Sequence, residues 1–316
     1  MSRGGKRMGG SGGGYSVPGK TLGELEKERA AREENEKFET ELNKYIKELL
    51  KGINDRDVEG INRHLETLRN ALEKDIEGYV ELRFGGSIMK KTYADGLSDV
   101  DMLVQINNSD LAGAKPNEVL KFFSDQIKRR LPNTEVKIGK LGVTVKFTSG
   151  HEIQLLPSVK TETGYRIARP GENSWSNVIK PNKFAEKLTT VNQANTNKVV
   201  PLIKLMKKIN AGLPPNKQLS GYHIESLAID AFKNATSVPK TYKGMVEHFC
   251  RHAEKAVLRP ITDSTGQSVH ADSHLGVVNS VERQRVSATF KQIIKRIETA
   301  NNTNSLASWK SILESE

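Results

Sequence analysis

The chain has 316 residues, 36% of them hydrophobic and 28% charged, with 49 Lys and Arg against 38 Asp and Glu for a formal net charge of +11. That length buries one large core or two moderate ones; the one cysteine, Cys250, excludes an intramolecular disulfide and any multi-cysteine zinc module. No run approaches the roughly 18 consecutive apolar residues of a membrane helix, and no apolar secretory stretch opens the chain, so a cytoplasmic protein without a membrane partner is expected. The basic balance attracts polyanions, whether nucleic acid or nucleoside triphosphates, without choosing between them.

Residues 1–20 are rich in Gly and Ser with few apolar side chains, which predicts a flexible tail. From Leu22 to Lys51, Phe38, Leu42, Tyr45, Ile46, Leu49 and Leu50 recur at helical spacing, and a second helix is expected from Val58 to Glu77 on Ile61, Leu65, Leu68 and Leu72. The character then changes. Tyr79 to Phe84 reads as a strand running into Gly85-Gly86-Ser87, and Val100 to Ile106 and Val143 to Phe147 read as strands flanking a helix that Pro116 opens. Glu152 to Leu156 reads as another strand, ended by Pro157.

After Trp175 the pattern is helical, with elements expected at 184–191, 199–210, 221–233, 241–257 and 281–300, and with loops at Pro214-Pro215 and from Asp263 to Ser280. The division expected is a tail over 1–20, N-terminal helices with a mixed α/β catalytic core over 21–175, and a helical lobe completing the pocket over 176–316. The long first helix is placed to span both lobes.

The chemistry concentrates between residues 84 and 104. Phe84-Gly85-Gly86-Ser87 is followed, with eleven residues between Ser87 and Asp99, by Asp99-Val100-Asp101 at the head of an apolar run. Carboxylates at i and i+2 of a strand project from one face about 7 Å apart, so their oxygens can converge on hard divalent cations. Two such ions serve phosphoryl transfer, one lowering the pKa of the attacking hydroxyl and one stabilising the leaving pyrophosphate. A strand that turns through glycines into a helix presents N–H groups and the Ser87 hydroxyl to phosphate oxygens, with Lys90, Lys91 and Thr92 close behind. Alone, a DxD is usually a solvated strand end and a GGS usually a turn.

In this order and spacing the two motifs match the signature of the nucleotidyltransferase superfamily. The likeness continues through the helix bearing Lys204-Leu205-Met206-Lys207 and through Ser220-Gly221-Tyr222-His223-Ile224-Glu225-Ser226, which resemble segments of the oligoadenylate synthetase and cyclic GMP-AMP synthase-like enzymes. On the first of these helices Leu202, Leu205, Met206 and Ile209 form an apolar face and leave Lys204, Lys207 and Lys208 off it. From residues 60 to 300 the chain is most similar to the bacterial CD-NTases of CBASS defence systems, cGAS/DncV-like enzymes of the SMODS type.

The resemblance implies a polymerase-β-like nucleotidyltransferase core, α/β (α+β), with a mostly helical second lobe. It implies catalytic and metal-binding roles for Asp99 and Asp101 on two Mg²⁺ or Mn²⁺ ions, nucleotide-binding roles for Gly86 and Ser87, phosphate contacts by Lys207 and Ser220, and base stacking by Tyr222. From the residues alone, the lysines make a solvated face and Ser220 an N-cap. The superfamily usually has a third Asp three residues before a proline, and here Gln154 stands there before Pro157; Glu152, on the same face by alternation, is the candidate third ligand.

The activity implied joins nucleoside triphosphates, ATP among them, into a cyclic di- or trinucleotide second messenger that switches on a downstream effector, with a protein or nucleic-acid activator left open. The alternatives are an RNA-tailing enzyme of the CCA-adding or poly(A) type, and a degenerate nucleotide binder, which Gln154 keeps in play. His248, Cys250 and His252 lie two residues apart on a helix, about 200° per step, and cannot share one metal. Tyr165, Arg166, Arg169 and Trp175 are candidates either to line an acceptor nucleotide or to pack.

Overall fold

A computed structural model describes residues 21–54, 57–94, 100–235, 237–261 and 272–314. In chain order it contains α1 (Leu22–Asn54), α2 (Val58–Glu73), β1 (Glu81–Phe84), α3 (Gly86–Met89), β2 (Val100–Gln105), α4 (Pro116–Arg130), β3 (Glu135–Ile138), β4 (Val143–Lys146), β5 (Glu152–Lys160) and β6 (Tyr165–Ile167). The helical part follows as α5 (Pro181–Ala194), α6 (Val199–Ala211), α7 (Gly221–Phe232), α8 (Tyr242–Ala256), α9 (Val281–Asn302) and α10 (Leu306–Glu314).

The sheet runs β1-β2-β5-β4-β3, with β6 on the outer half of β5, and within it only β2 and β5 are parallel. Side chains alternate along each strand. Val100, Met102 and Val104 of β2 and Ile153 and Leu155 of β5 turn one way, into a core with Ile61, Leu65, Leu68 and Leu72 of α2 and Val119, Phe123 and Ile127 of α4. The same alternation turns Asp101, Leu103, Gln154 and Leu156 the other way, towards the helical lobe, and so fixes the face of the sheet that carries the site.

The second core is helical, built from α5 to α10 together with Phe38, Leu42, Ile46 and Leu50 of α1. Thus α1 packs with the helices that close the chain, touching α6, α8 and α10. Its buried side chains begin only at Phe38.

Several elements depart from expectation. Pro157 does not end β5, which runs on to Lys160. At that point β4 has already ended its pairing at Leu155 and β6 begins only at Ser158, so the missing N–H of Pro157 falls where no neighbour needs it. Strands β3 and β6 and helix α10 have no counterpart among the expected elements; α10 brings in Trp309, fully buried, with Nε1 donating to Asn301 Oδ1 at 3.0 Å. The lysine face of α6 is not solvated either: Lys204 and Lys207 are buried, because α7 and the chain around Asn54 and Thr92 cover that side and accept their hydrogen bonds. Cys250 is core, its thiol pushed up by burial. His248 contacts the Ala231 carbonyl and His252 the Asp230 carboxylate, so the three residues are spent separately.

Candidate functional site

A cleft of about 540 Å³ lies between the sheet and the helical lobe. Its sheet side carries Gly85, Gly86, Ser87, Asp101 and Gln154, and its helical side Lys207, Gly221, Tyr222 and Glu225. Segments distant in sequence, the glycine turn and α7 among them, therefore meet across one space.

The glycine turn is shaped by Asp101. Gly85 N donates to the Asp101 carbonyl at 2.8 Å, continuing the β1–β2 ladder by one step. Gly86 then adopts φ +43, and a Cβ on it would stand 1.6 Å from Asp101 Oδ2. Only glycine satisfies both the left-handed backbone and the carboxylate packed against it. Ser87 follows, 6% exposed, and its Oγ has no hydrogen-bond partner among the described residues although it lines the cleft. Such a buried hydroxyl is costly unless something supplies a partner, and a phosphate oxygen in the cleft would do so. The chain then folds back, Thr92 and Tyr93 donating their N–H groups to the Ser87 carbonyl.

Asp99 lies outside the described residues, as do the other positions of 95–99. The parallel register of β2 and β5 pairs Asp101 with Gln154, so the side chain beside Asp101 is the amide. Glu152 sits two residues earlier on the same strand face, opposite Lys146 of β4, and is not among the residues that line the cleft. The described donors at this end are thus a carboxylate and an amide, all oxygen, of the kind a hard divalent cation takes when water and phosphate complete its shell.

The helical wall is dominated by one buried acid. Glu225, 1% exposed, accepts hydrogen bonds from Lys90 at Oε2 and from Thr92 Oγ1 and Lys207 at Oε1, the last at 3.0 Å. Burial pushes its carboxyl up, but the two lysines outweigh this and hold it below the usual range. Burial likewise holds the Lys207 ammonium below its ordinary value, opposed by Glu225. Lys90 also lies over the rings of Phe184 and Tyr222, 5.0 and 5.1 Å from their centroids. Tyr222 keeps 37% exposure, tilts against Phe184 at 4.8 Å and lines the cleft.

Ser220 caps α7, its Oγ accepting from His223 N at 3.2 Å, and is exposed beside the cleft entrance at Gly221. Of the acceptor-side candidates, Trp175 packs against the sheet core and donates to the Ala114 carbonyl at 3.2 Å, and Arg169 pairs with Glu172. Neither these two nor Tyr165 and Arg166 line the cleft. Sequence reasoning assigned no role to Glu225, although α7 is largely apolar and an acid on its buried side has to be paired.

Residues 39–192 match the family described as Second Messenger Oligonucleotide or Dinucleotide Synthetase domain. No curated protein matches the chain. Among solved structures, CdnG of Bradyrhizobium diazoefficiens, a CD-NTase in complex with GTP, superposes with TM-score 0.64 at 11% identity, over 87% of this chain and 95% of that one. The cyclic AMP-GMP synthase DncV of Vibrio cholerae, bound to the linear intermediate pppA(3′,5′)pG, gives 0.61 at 9% identity, over 93% and 90%. CdnC of Escherichia coli, in complex with HORMA-deltaN, gives 0.57 at 19% identity, over 84% and 94%. The shared fold is a polymerase-β-like nucleotidyltransferase core with a helical lobe.

Proposed function

We propose that the chain, whose residues 39–192 match a Second Messenger Oligonucleotide or Dinucleotide Synthetase domain and whose fold is shared with CD-NTases, is a nucleotidyltransferase of the CD-NTase type that condenses nucleoside triphosphates, ATP among them, into a cyclic di- or trinucleotide for antiphage (CBASS) signalling. The observation that carries this is the cleft in which Asp101, packed on Gly86, faces a cationic wall held by Glu225.

In the reaction a ribose hydroxyl of the acceptor forms a bond to the α-phosphorus of the donor, the bond from that phosphorus to the β-phosphate bridging oxygen breaks, and pyrophosphate leaves. Repetition ends when the growing chain's own hydroxyl attacks its 5′ α-phosphorus and closes the ring. Asp99, Asp101 and Glu152 are the metal-side carboxylates, with Gln154 beside Asp101. Mg²⁺ or Mn²⁺ bound there would activate the hydroxyl and stabilise charge on the leaving group.

The remaining work falls to side chains of the cleft. Ser87 Oγ donates to a phosphate oxygen and so gains the partner it lacks among the described residues. The Ser220 oxygen accepts from the helix, which leaves its O–H free to donate to a phosphate, so capping and ligand roles are compatible. Lys207 supplies positive charge next to the triphosphate. The base stacks on Tyr222, which Phe184 backs.

The chain's location is taken as cytoplasmic; no helix among the described residues is long and apolar enough to cross a membrane. A protein activator belongs to this proposal on the precedent of CdnC bound to HORMA-deltaN, with nucleic acid as the rival activator and a nucleotide-gated effector downstream.

The test is to incubate the chain with the four ribonucleoside triphosphates and Mg²⁺ or Mn²⁺, with and without RNA or duplex DNA, and to treat with phosphatase before mass spectrometry. A phosphatase-resistant cyclic product that disappears in Asp101→Asn is expected. Lengthened RNA without a cyclic species would replace this function by tailing, and nucleotide binding without turnover under every condition would favour a degenerate site. Glu152→Gln, run alongside, is expected to raise the metal concentration required.

A further inference from the structure

The cluster around Glu225 joins the two lobes. Lys90 and Thr92 belong to the turn after α3, on the sheet side, whereas Lys207 and Glu225 come from α6 and α7. Lys207 Nζ has three N–H groups, and three acceptors surround it: the Thr92 carbonyl at 2.9 Å, Glu225 Oε1 at 3.0 Å and Thr92 Oγ1 at 3.4 Å. Its geometry is therefore set by Thr92 and Glu225. Lys90 is fixed on the other oxygen of the same carboxylate, its side chain 9% exposed and lying over Phe184 and Tyr222.

Two ammonium groups held by one carboxylate leave the cluster with a net single positive charge at the cleft wall. A lone buried lysine would lose much of its charge to desolvation, and a flexible one would have to be ordered when ligand arrives. A shared buried carboxylate offsets part of the first cost and, by fixing both side chains, removes the second. It also makes the cationic wall depend on the apposition of the lobes, since neither lobe holds both lysines.

We infer that Glu225 is the positioning residue of the triphosphate subsite: without touching nucleotide, it holds Lys207 and Lys90, one from each lobe, as a fixed pair of cations, and Lys90 thereby becomes a second triphosphate-facing charge. The inference rests on the cleft being the nucleotide site. A purely structural bridge between lobes would affect every ligand of the cleft alike, whereas a charge-positioning device acts on the triphosphate and spares the nucleoside monophosphate.

The experiment measures, by titration calorimetry on the full chain with Mg²⁺, the affinities of the α,β-methylene analogues of ATP and GTP and of AMP and GMP. The wild-type protein is expected to prefer the triphosphate analogue of its base. Glu225→Gln, close in size and without the charge, is expected to lose at least roughly tenfold in triphosphate affinity, the scale of a hydrogen bond to a charged group, while monophosphate affinity stays the same. Thr92→Val is uncharged and isosteric, and keeps the test open should Glu225→Gln fail to fold. It removes one hydroxyl from both Glu225 and Lys207 and is expected to cost about threefold on the triphosphate alone. Equal losses on mono- and triphosphate, or no loss in either variant, would overturn the positioning role. A wild-type protein that binds none of the four, or shows no triphosphate preference, would instead remove the nucleotide-site assignment and the inference with it.

Discussion

Two buried charge clusters among the described residues, one inside the helical lobe and one joining it to the sheet, are built to opposite rules. In the first, Arg283 is fully buried and every nitrogen is used: Nε on the carbonyls of Gly276 and Val277, Nη1 on those of Val257 and Arg259 and on Asp272 Oδ2 at 2.6 Å, and Nη2 on the Asp272 carbonyl. Charges balance one to one, and the partners are mostly backbone carbonyls at the ends of α8 and before α9. In the second, two lysines share Glu225, the balance is left positive, and all three residues border the cleft. Charges balanced with carbonyls fit a cluster that pins loops; surplus charge on a cavity wall fits the triphosphate-facing role proposed above.

The largest expected effect breaks the closed cluster. Arg283→Met leaves Asp272 buried without its cation and strips six oxygens, five carbonyl and one carboxylate, of a donor, and should cost about 3–5 kcal/mol in denaturant unfolding. Nucleotide affinity per folded molecule should be unchanged, and a selective loss of triphosphate binding here would erase the contrast between the two clusters.

A second measurement concerns pH. His223 is buried beside Asp272, with Nε2 3.8 Å from Oδ2, and neither ring nitrogen has a hydrogen-bond partner among the described residues. Burial pushes its imidazole down to about 4. The folded chain therefore stays neutral at this site while the unfolded chain takes up a proton below about 6.5. Stability should fall as pH drops from about 6.5 to about 4, by up to about 3 kcal/mol from this group. His223→Leu should flatten that part of the curve in acid-to-neutral denaturation series, and an unaltered slope would place the titration elsewhere.

A smaller effect is expected on the catalytic side. Gly86→Ala places a methyl group on Asp101 Oδ2 and demands a left-handed backbone, so the carboxylate has to move. Displacement on the order of 1 Å costs about 10²-fold in turnover, read as kcat for cyclic product at saturating nucleotide. Wild-type turnover in this variant would mean that Asp101 is held by more than its glycine neighbour.

The parts legible in the sequence were those where one residue type does one job. Pro116 opening α4, Ser220 capping α7 and the alternation of β2 all follow from local rules, and the structure repeats them. The glycine turn and Asp101 were visible because the spacing ties them to one strand pair. What escaped was set by tertiary neighbours. Lys207 looked like a surface lysine because α6 was judged from its own apolar face, whereas Glu225 of α7 and the Thr92 turn close over it from 18 and 115 residues away. β3 and β6 span four and three residues, with mixed or exposed burial, too short for a period to register. Glu152 and Gln154 were ordered correctly along the strand, but which stands beside Asp101 depends on the register with β2, and register comes from pairing.

Because α1 packs on α6, α8 and α10, the helical lobe is assembled from segments lying on both sides of the sheet domain in the chain. During synthesis the sheet domain can close on α2 and α4 once β6 has left the ribosome. By contrast, the stripe of Phe38, Leu42, Ile46 and Leu50 waits for partners more than 140 residues downstream. At ordinary translation rates that is a delay on the order of ten seconds or more. A nascent chain therefore carries the sheet wall of the cleft beside an uncovered helix, and the opposite wall comes into being only when α6 and α7 have been made.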